Sequence, residues 1–164
     1  MTNSNTVQAI IEIPKGSRNK YEYDFDLDLI RLDRVIPSSV MYPTDYGFIR
    51  ETLSTDGDHL DILVFLTEAT FPGCLVEARP IGVAMMEDDK GADPKIIAVA
   101  ASDPHFQTTH TLEDLGVSFQ NEIRHFFETY KVLENKYVKF NGWGNLAAAE
   151  TLISEARARF LSHK

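Results

Sequence analysis

The chain of 164 residues holds one cysteine, Cys74, so no internal disulfide can form, as suits a reducing compartment. Long apolar runs are missing too. The longest, residues 62–66 and 96–101, are strand-length and far below the roughly 20 residues a membrane helix needs, so no membrane partner is expected. Met1-Thr2-Asn3-Ser4-Asn5 offers no basic stretch ahead of an apolar one; no signal peptide is expected, and the protein is placed in the cytoplasm. Basic charge is scarce. Sixteen Lys and Arg against 25 Asp and Glu leave a net charge of −9, with no Lys/Arg-rich run, so nucleic acid is not an expected partner. No repeat, low-complexity tract or Pro/Ser-rich linker divides the chain. Residues 1–164 are read as one domain, with 1–6 expected to be disordered.

What is present is the hydrophobic share of an ordinary globular protein, 43 %, laid out in two periods. The first two-thirds reads as strands separated by turn signals: 7–13, 20–25, 29–36, 46–50, 60–66, 74–86 with a break near Pro80, and 95–101. Residues 20–25 alternate, with Lys20, Glu22 and Asp24 on one face and Tyr21, Tyr23 and Phe25 on the other. The last third turns helical. Phe119, Ile123, Phe126, Phe127 and Tyr130 recur at helical spacing after candidate caps at Thr111 or Ser118. A returning strand at 136–140 precedes a second helix capped by Asn145. This is an α+β, β-rich chain: an antiparallel barrel or sandwich with two helices in its C-terminal half.

The acid is not evenly spread. Asp56-Gly57-Asp58-His59-Leu60-Asp61 packs three carboxylates into six residues, which repel one another unless a cation or solvent intervenes. A solvated glycine turn accounts for Asp56 and Asp58. Asp61 is different, because alternation puts it on the face of Leu63 and Phe65, where an unpaired carboxylate costs several kcal/mol. Hard divalent cations take oxygen ligands of this kind. An EF-hand is excluded, since Leu60, Asp61 and Thr67 fall where that loop needs an oxygen ligand, glycine and glutamate. A second acidic group comprises Asp88, Asp89 and Asp93. Pro94 extends the chain so that Asp93 and Lys95 project together, with Lys95 on the face of Ile97 and Val99. Arg34 alternates with Leu32 and Ile36, which places it on an apolar face. Each cation alone reads equally as a structural ion pair; arginine and lysine also suit phosphate.

Glu12-Ile13-Pro14-Lys15-Gly16-Ser17, Lys20-Tyr21-Glu22, Asp33-Arg34, Tyr42-Pro43, Asp45-Tyr46-Gly47, the cluster Asp56 to Asp61, Asp93-Pro94-Lys95 and Phe126-Phe127-Glu128-Thr129-Tyr130-Lys131 occur in that order. Together they resemble the family I soluble inorganic pyrophosphatases over nearly the whole chain. The resemblance implies a distorted five-stranded, OB-like barrel, Mg²⁺ as cofactor, and hydrolysis of pyrophosphate by direct attack of a metal-activated water. It implies Asp56, Asp61 and Asp93 as ligands of the tightest metals, Asp88 as a further metal ligand and Asp58 as general base. Lys20, Arg34, Tyr46, Tyr130 and Lys131 would bind substrate, with Glu12, Glu22, Tyr42 and Lys95 in support. It also implies a homo-oligomer, a hexamer in bacterial members, with self-association expected through the helix of His125. The family has proline or glutamate where this chain has His59. That histidine is open to two readings: a solvent-facing turn residue, or a ligand for a softer metal such as Mn²⁺ or Zn²⁺.

Charge counting agrees. The seven carboxylates so named against Lys20, Arg34, Lys95 and Lys131 leave −3. Pyrophosphate adds roughly −3 to −4, which about three or four divalent ions would offset. Two other readings stay open: a metal-dependent hydrolase of other phosphoanhydrides, and a non-catalytic OB-like binding module.

Overall fold

The computed structural model describes residues 5–164; residues 1–4, most of the stretch expected to be disordered, lie outside the described residues. The strands are β1 (Val7–Ile13), β2 (Asn19–Asp24), β3 (Leu29–Val35), β4 (Asp45–Ile49), β5 (Asp61–Phe65), β6 (Leu75–Asp88), β7 (Gly91–Ala92) and β8 (Lys95–Ala100). Helices α1 (Leu112–Leu115) and α2 (Val117–Thr129), strand β9 (Lys139–Gly144) and helix α3 (Leu146–Ser162) complete the chain.

Strands β1, β4, β5, β8 and β6 hydrogen-bond in that order, and β6 returns to β1 to close a five-stranded ring. The ring is distorted. Its register breaks between Ile11 and Ile13 and again between Pro80 and Gly82, where proline cannot donate to the ladder. Strand β6 is 14 residues long and runs past the ring to pair with β7 and β9. One correction concerns direction: four ring pairings are antiparallel, but β5 and β8 run parallel. Strands β6 and β7 lie between them in the chain, the crossover a parallel pair requires. The β2–β3 hairpin forms a separate two-stranded sheet.

Alternation along the ring strands deals side chains to two cores. Leu63, Phe65, Ile97 and Val99 pack with Leu112, Ile123, Phe126 and Phe127 from α1 and α2. Ile62, Val64, Ile96 and Ala98 pack with Ala149, Ile153 and Ala156 from α3. Asp61 and Lys95 share the parity of the first set, so both belong to the face that α2 covers. Gly47 lets β4 approach β1: a Cβ there would lie 1.8 Å from the Ile10 carbonyl oxygen.

Helix α1 has a capping box between Thr111 and Asp114, and Asn145 Oδ1 caps α3 by accepting from Ala148 N–H. Ser118 caps nothing, because α2 starts at Val117 behind Gly116. Tyr130 follows the last residue of α2 as its cap, and is nonetheless buried. The returning strand forms three residues later than expected, at Lys139–Gly144, with Tyr137 exposed ahead of it.

Candidate active site

Parallel pairing sets Asp61 at the start of β5 beside Lys95 at the start of β8. The Lys95 ammonium, 4 % exposed, donates to Asp61 at 2.5 Å, to Asp93 at 2.9 Å and to the Tyr46 hydroxyl at 3.1 Å. Burial alone would lower its pKa, but Asp61 and Asp93 outweigh burial and hold it well above the usual lysine value. Lysine here is a fixed cation between two carboxylates.

These groups open onto a cavity of about 380 Å³ that brings Asp56, Asp58, Asp61, Asp88 and Asp93 to one wall set. Lys20, Tyr46, Tyr130 and Lys131 line it too, as do Glu12 and Glu22. The acid arrives from a turn, where Gly57 (φ +90°) lets the chain reverse and Asp56 accepts from the Asp58 N–H at 3.0 Å. Burial, followed by the charges of Asp56 and Asp61, raises the Asp58 carboxyl above its ordinary value. Glu12 is pushed up to about 7, chiefly by burial, although it accepts from the Tyr23 N–H at 2.8 Å. Lys131 is lowered by burial and by the nearby cations Lys95, Lys20 and Arg34. Burial keeps the phenols of Tyr42, Tyr46 and Tyr130 protonated well past neutrality, so each can donate a hydrogen bond.

Two residues named for the site do not line the cavity itself. Tyr42 is fully buried in the core beneath Tyr46 and Phe126, at 5.2 and 4.5 Å between ring centres. Arg34 does not line the cavity; Glu134 holds its guanidinium through two bonds of 2.6 and 2.9 Å, and Asp33 adds a third at 2.6 Å. Its strand face is not apolar either, because a bulge beside Lys20 shifts the alternation and leaves Leu32 exposed. His59 differs from the turn residue expected. It is a half-buried residue of the cavity wall rather than a freely solvated turn residue: its ring lies 4.8 Å from Phe25 and 5.0 Å from Phe48, with Nδ1 buried. Sequence reasoning missed Lys90, which also lines the cavity. Its one signal is a lone cation between Asp88-Asp89 and Gly91 at a hairpin tip.

The donors on the cavity wall are chiefly carboxylate oxygens, which fits a hard divalent cation, with the His59 imidazole among them. Among the described residues no three His, Cys, Asp or Glu side chains gather tightly enough to hold an ion unaided.

Comparison with known proteins gives the same answer. The family model described as inorganic pyrophosphatase matches residues 9–161. The inorganic pyrophosphatase of Methanosarcina acetivorans is 49 % identical, over 98 % of this chain and 96 % of its own. A crystal structure of the enzyme from Thermus thermophilus superposes with a TM-score of 0.95 at 45 % identity, covering 98 % of this chain and 94 % of that one. The Helicobacter pylori enzyme gives 0.94 at 38 % identity, over 98 % and 96 % of the two chains. With its ring of five strands, its acidic cavity and these relatives, the chain belongs to the inorganic pyrophosphatase family.

Proposed function

We propose that this hydrolase splits inorganic pyrophosphate into two orthophosphates, with Mg²⁺ as its cofactor and Asp58 as its general base. One observation carries the reading: five aspartates and four lysines, from a turn, four strands and their connections, face a single cavity. Asp56, Asp61, Asp88 and Asp93 would hold divalent cations, which when bound would supply Lewis acidity toward water and phosphate oxygens.

The chain's own groups do the rest. Lys95 donates to both Asp61 and Asp93 and holds the two carboxylates together at the cavity. Lys20 and Lys131 provide point charges for the phosphates, and Tyr46 and Tyr130 provide hydroxyl donors. Arg34, held by Glu134 and Asp33, is a further proposed phosphate contact, and Lys131, whose pKa is lowered first by burial and then by the nearby cations, binds substrate anion in its protonated form. Water attacks phosphorus as Asp58 accepts its proton, and the bridging P–O bond breaks to release orthophosphate. The raised pKa of Asp58 suits a base better than an ordinary surface carboxylate would. No covalent intermediate is required.

Phosphate release is the test: brisk from pyrophosphate with Mg²⁺, and abolished by EDTA. Equal or faster release from ATP would favour a broader phosphoanhydride hydrolase, and no release from either would leave a binding module. A cytoplasmic location and a hexameric assembly through the His125 helix belong to the same proposal. Among the described residues no helix is long and apolar enough to cross a membrane. Native mass spectrometry reads the assembly, and a monomer at micromolar concentration would overturn it.

A further inference from the structure

His59 follows the proposed base directly, and its Nδ1 is the only buried side-chain nitrogen or oxygen among the described residues without a hydrogen-bond partner. A buried unpaired nitrogen is unfavourable, so something must hold the ring there. The holders are aromatic and come from three separate parts of the chain. Phe48 of β4 stacks on it at 5.0 Å and 27°, Phe25 beyond β2 lies at 4.8 Å, and Phe160 of α3 closes in at 6.1 Å. Phe25 also touches Phe48 at 5.6 Å and Tyr23 at 4.7 Å, although it is 59 % exposed. An exposed phenylalanine on a separate hairpin gains little from burial there. What it adds is a second wall for the imidazole.

The backbone explains the need. Gly57 sits at φ +90° just before Asp58; Asp56 and Ser54 bond the Asp58 backbone, but glycine has no side chain to pack there and histidine does not lock its own φ as proline would. We propose that His59 is a positioning residue: its ring, clamped by Phe25, Phe48 and Phe160, fixes the turn and so aims the Asp58 carboxylate into the cavity. The inference rests on Asp58 being the base. It assigns a role in turnover to Phe25, which stands outside the acidic cluster.

The experiment compares H59A, H59F and F25A with the wild type at saturating Mg²⁺ and 25 °C. Loss of aim is expected to lower kcat about tenfold in H59A and about threefold in F25A, with KM for pyrophosphate within about twofold. H59F keeps a ring and discards the unpaired nitrogen; it is expected to recover most of the H59A loss and to melt above the wild type. A purely structural stack would lower the melting temperature of H59A and leave kcat of the folded protein unchanged, which would overturn the proposal. So would an H59F as slow as H59A. Amide exchange at Gly57, Asp58 and Leu60 gives a reading that needs no turnover: about tenfold faster in H59A and near wild type in H59F. If the wild type fails to split pyrophosphate, the function falls, and the exchange data alone decide whether the clamp orders the turn.

Discussion

Glu12 offers the sharpest physical test, because its environment opposes its charge. It lies on β1 near Asp61 and Glu22, with Lys20 as a partly offsetting cation, and burial is the largest influence on it. Its carboxyl rises from 4.5 to about 7. The folded state therefore binds this proton more tightly than the unfolded chain does. Its contribution to stability is fully present below pH 4.5 and is lost as pH rises through about 7. A shift of this size corresponds to about 3 kcal/mol, trimmed to about 2 by partial solvent access. Glu12→Gln keeps an oxygen to accept from the Tyr23 N–H and removes the charge. Urea unfolding in EDTA should give the variant and the wild type similar stability near pH 4.5. At pH 8 the variant should be more stable by about 2 kcal/mol. If both proteins lose the same stability across that range, Glu12 is not a buried, charge-opposed group and the electrostatics described for the cavity are wrong.

Asp58→Asn should reduce kcat by about 10²–10⁴-fold with the melting curve retained; activity near wild type would remove Asp58 as the base. Lys95→Met leaves Asp61 and Asp93 facing each other without their cation. It should cost about 3–5 kcal/mol in urea unfolding with EDTA present, a loss that added Mg²⁺ partly restores. Adding Mg²⁺ to the wild type should release protons, since Asp58 and Glu12 both hold them above their ordinary range. Calorimetry in two buffers of different ionisation enthalpy measures that release. Gly47→Ala should fail to give soluble protein or should lose more than about 4 kcal/mol, because the β1–β4 ladder cannot accept a methyl group at the Ile10 carbonyl.

Much of the site was legible because strand alternation is a local property. The parity that put Asp61 with Leu63, and Lys95 with Ile97, is the parity of the folded sheet. That the two would meet was not legible. Their pairing depends on a parallel register between strands 34 positions apart in the chain. No side-chain pattern within either strand encodes it. Arg34 shows where alternation itself misleads: one bulge moved its neighbours, and the partner that fixes it, Glu134, is 100 residues away. Residues 136–140 read as a strand because Tyr137, Val138 and Phe140 are good strand formers. The ladder that forms keeps Lys139 and Phe140 but runs on through Gly142, Trp143 and Gly144, since pairing with the far end of β6 overrides local preference. His59 was read as exposed because a turn is normally solvated; its aromatic partners come from β4, the hairpin and α3.

The central claim is that these aspartates hold divalent cations in one cavity. Crystals grown with Mn²⁺ in place of Mg²⁺ and measured for anomalous scattering test it most directly. The account requires peaks within coordination distance of Asp56, Asp61, Asp88 and Asp93. A well-ordered cavity at high Mn²⁺ with no peak there, or peaks only on the outer surface, would contradict it.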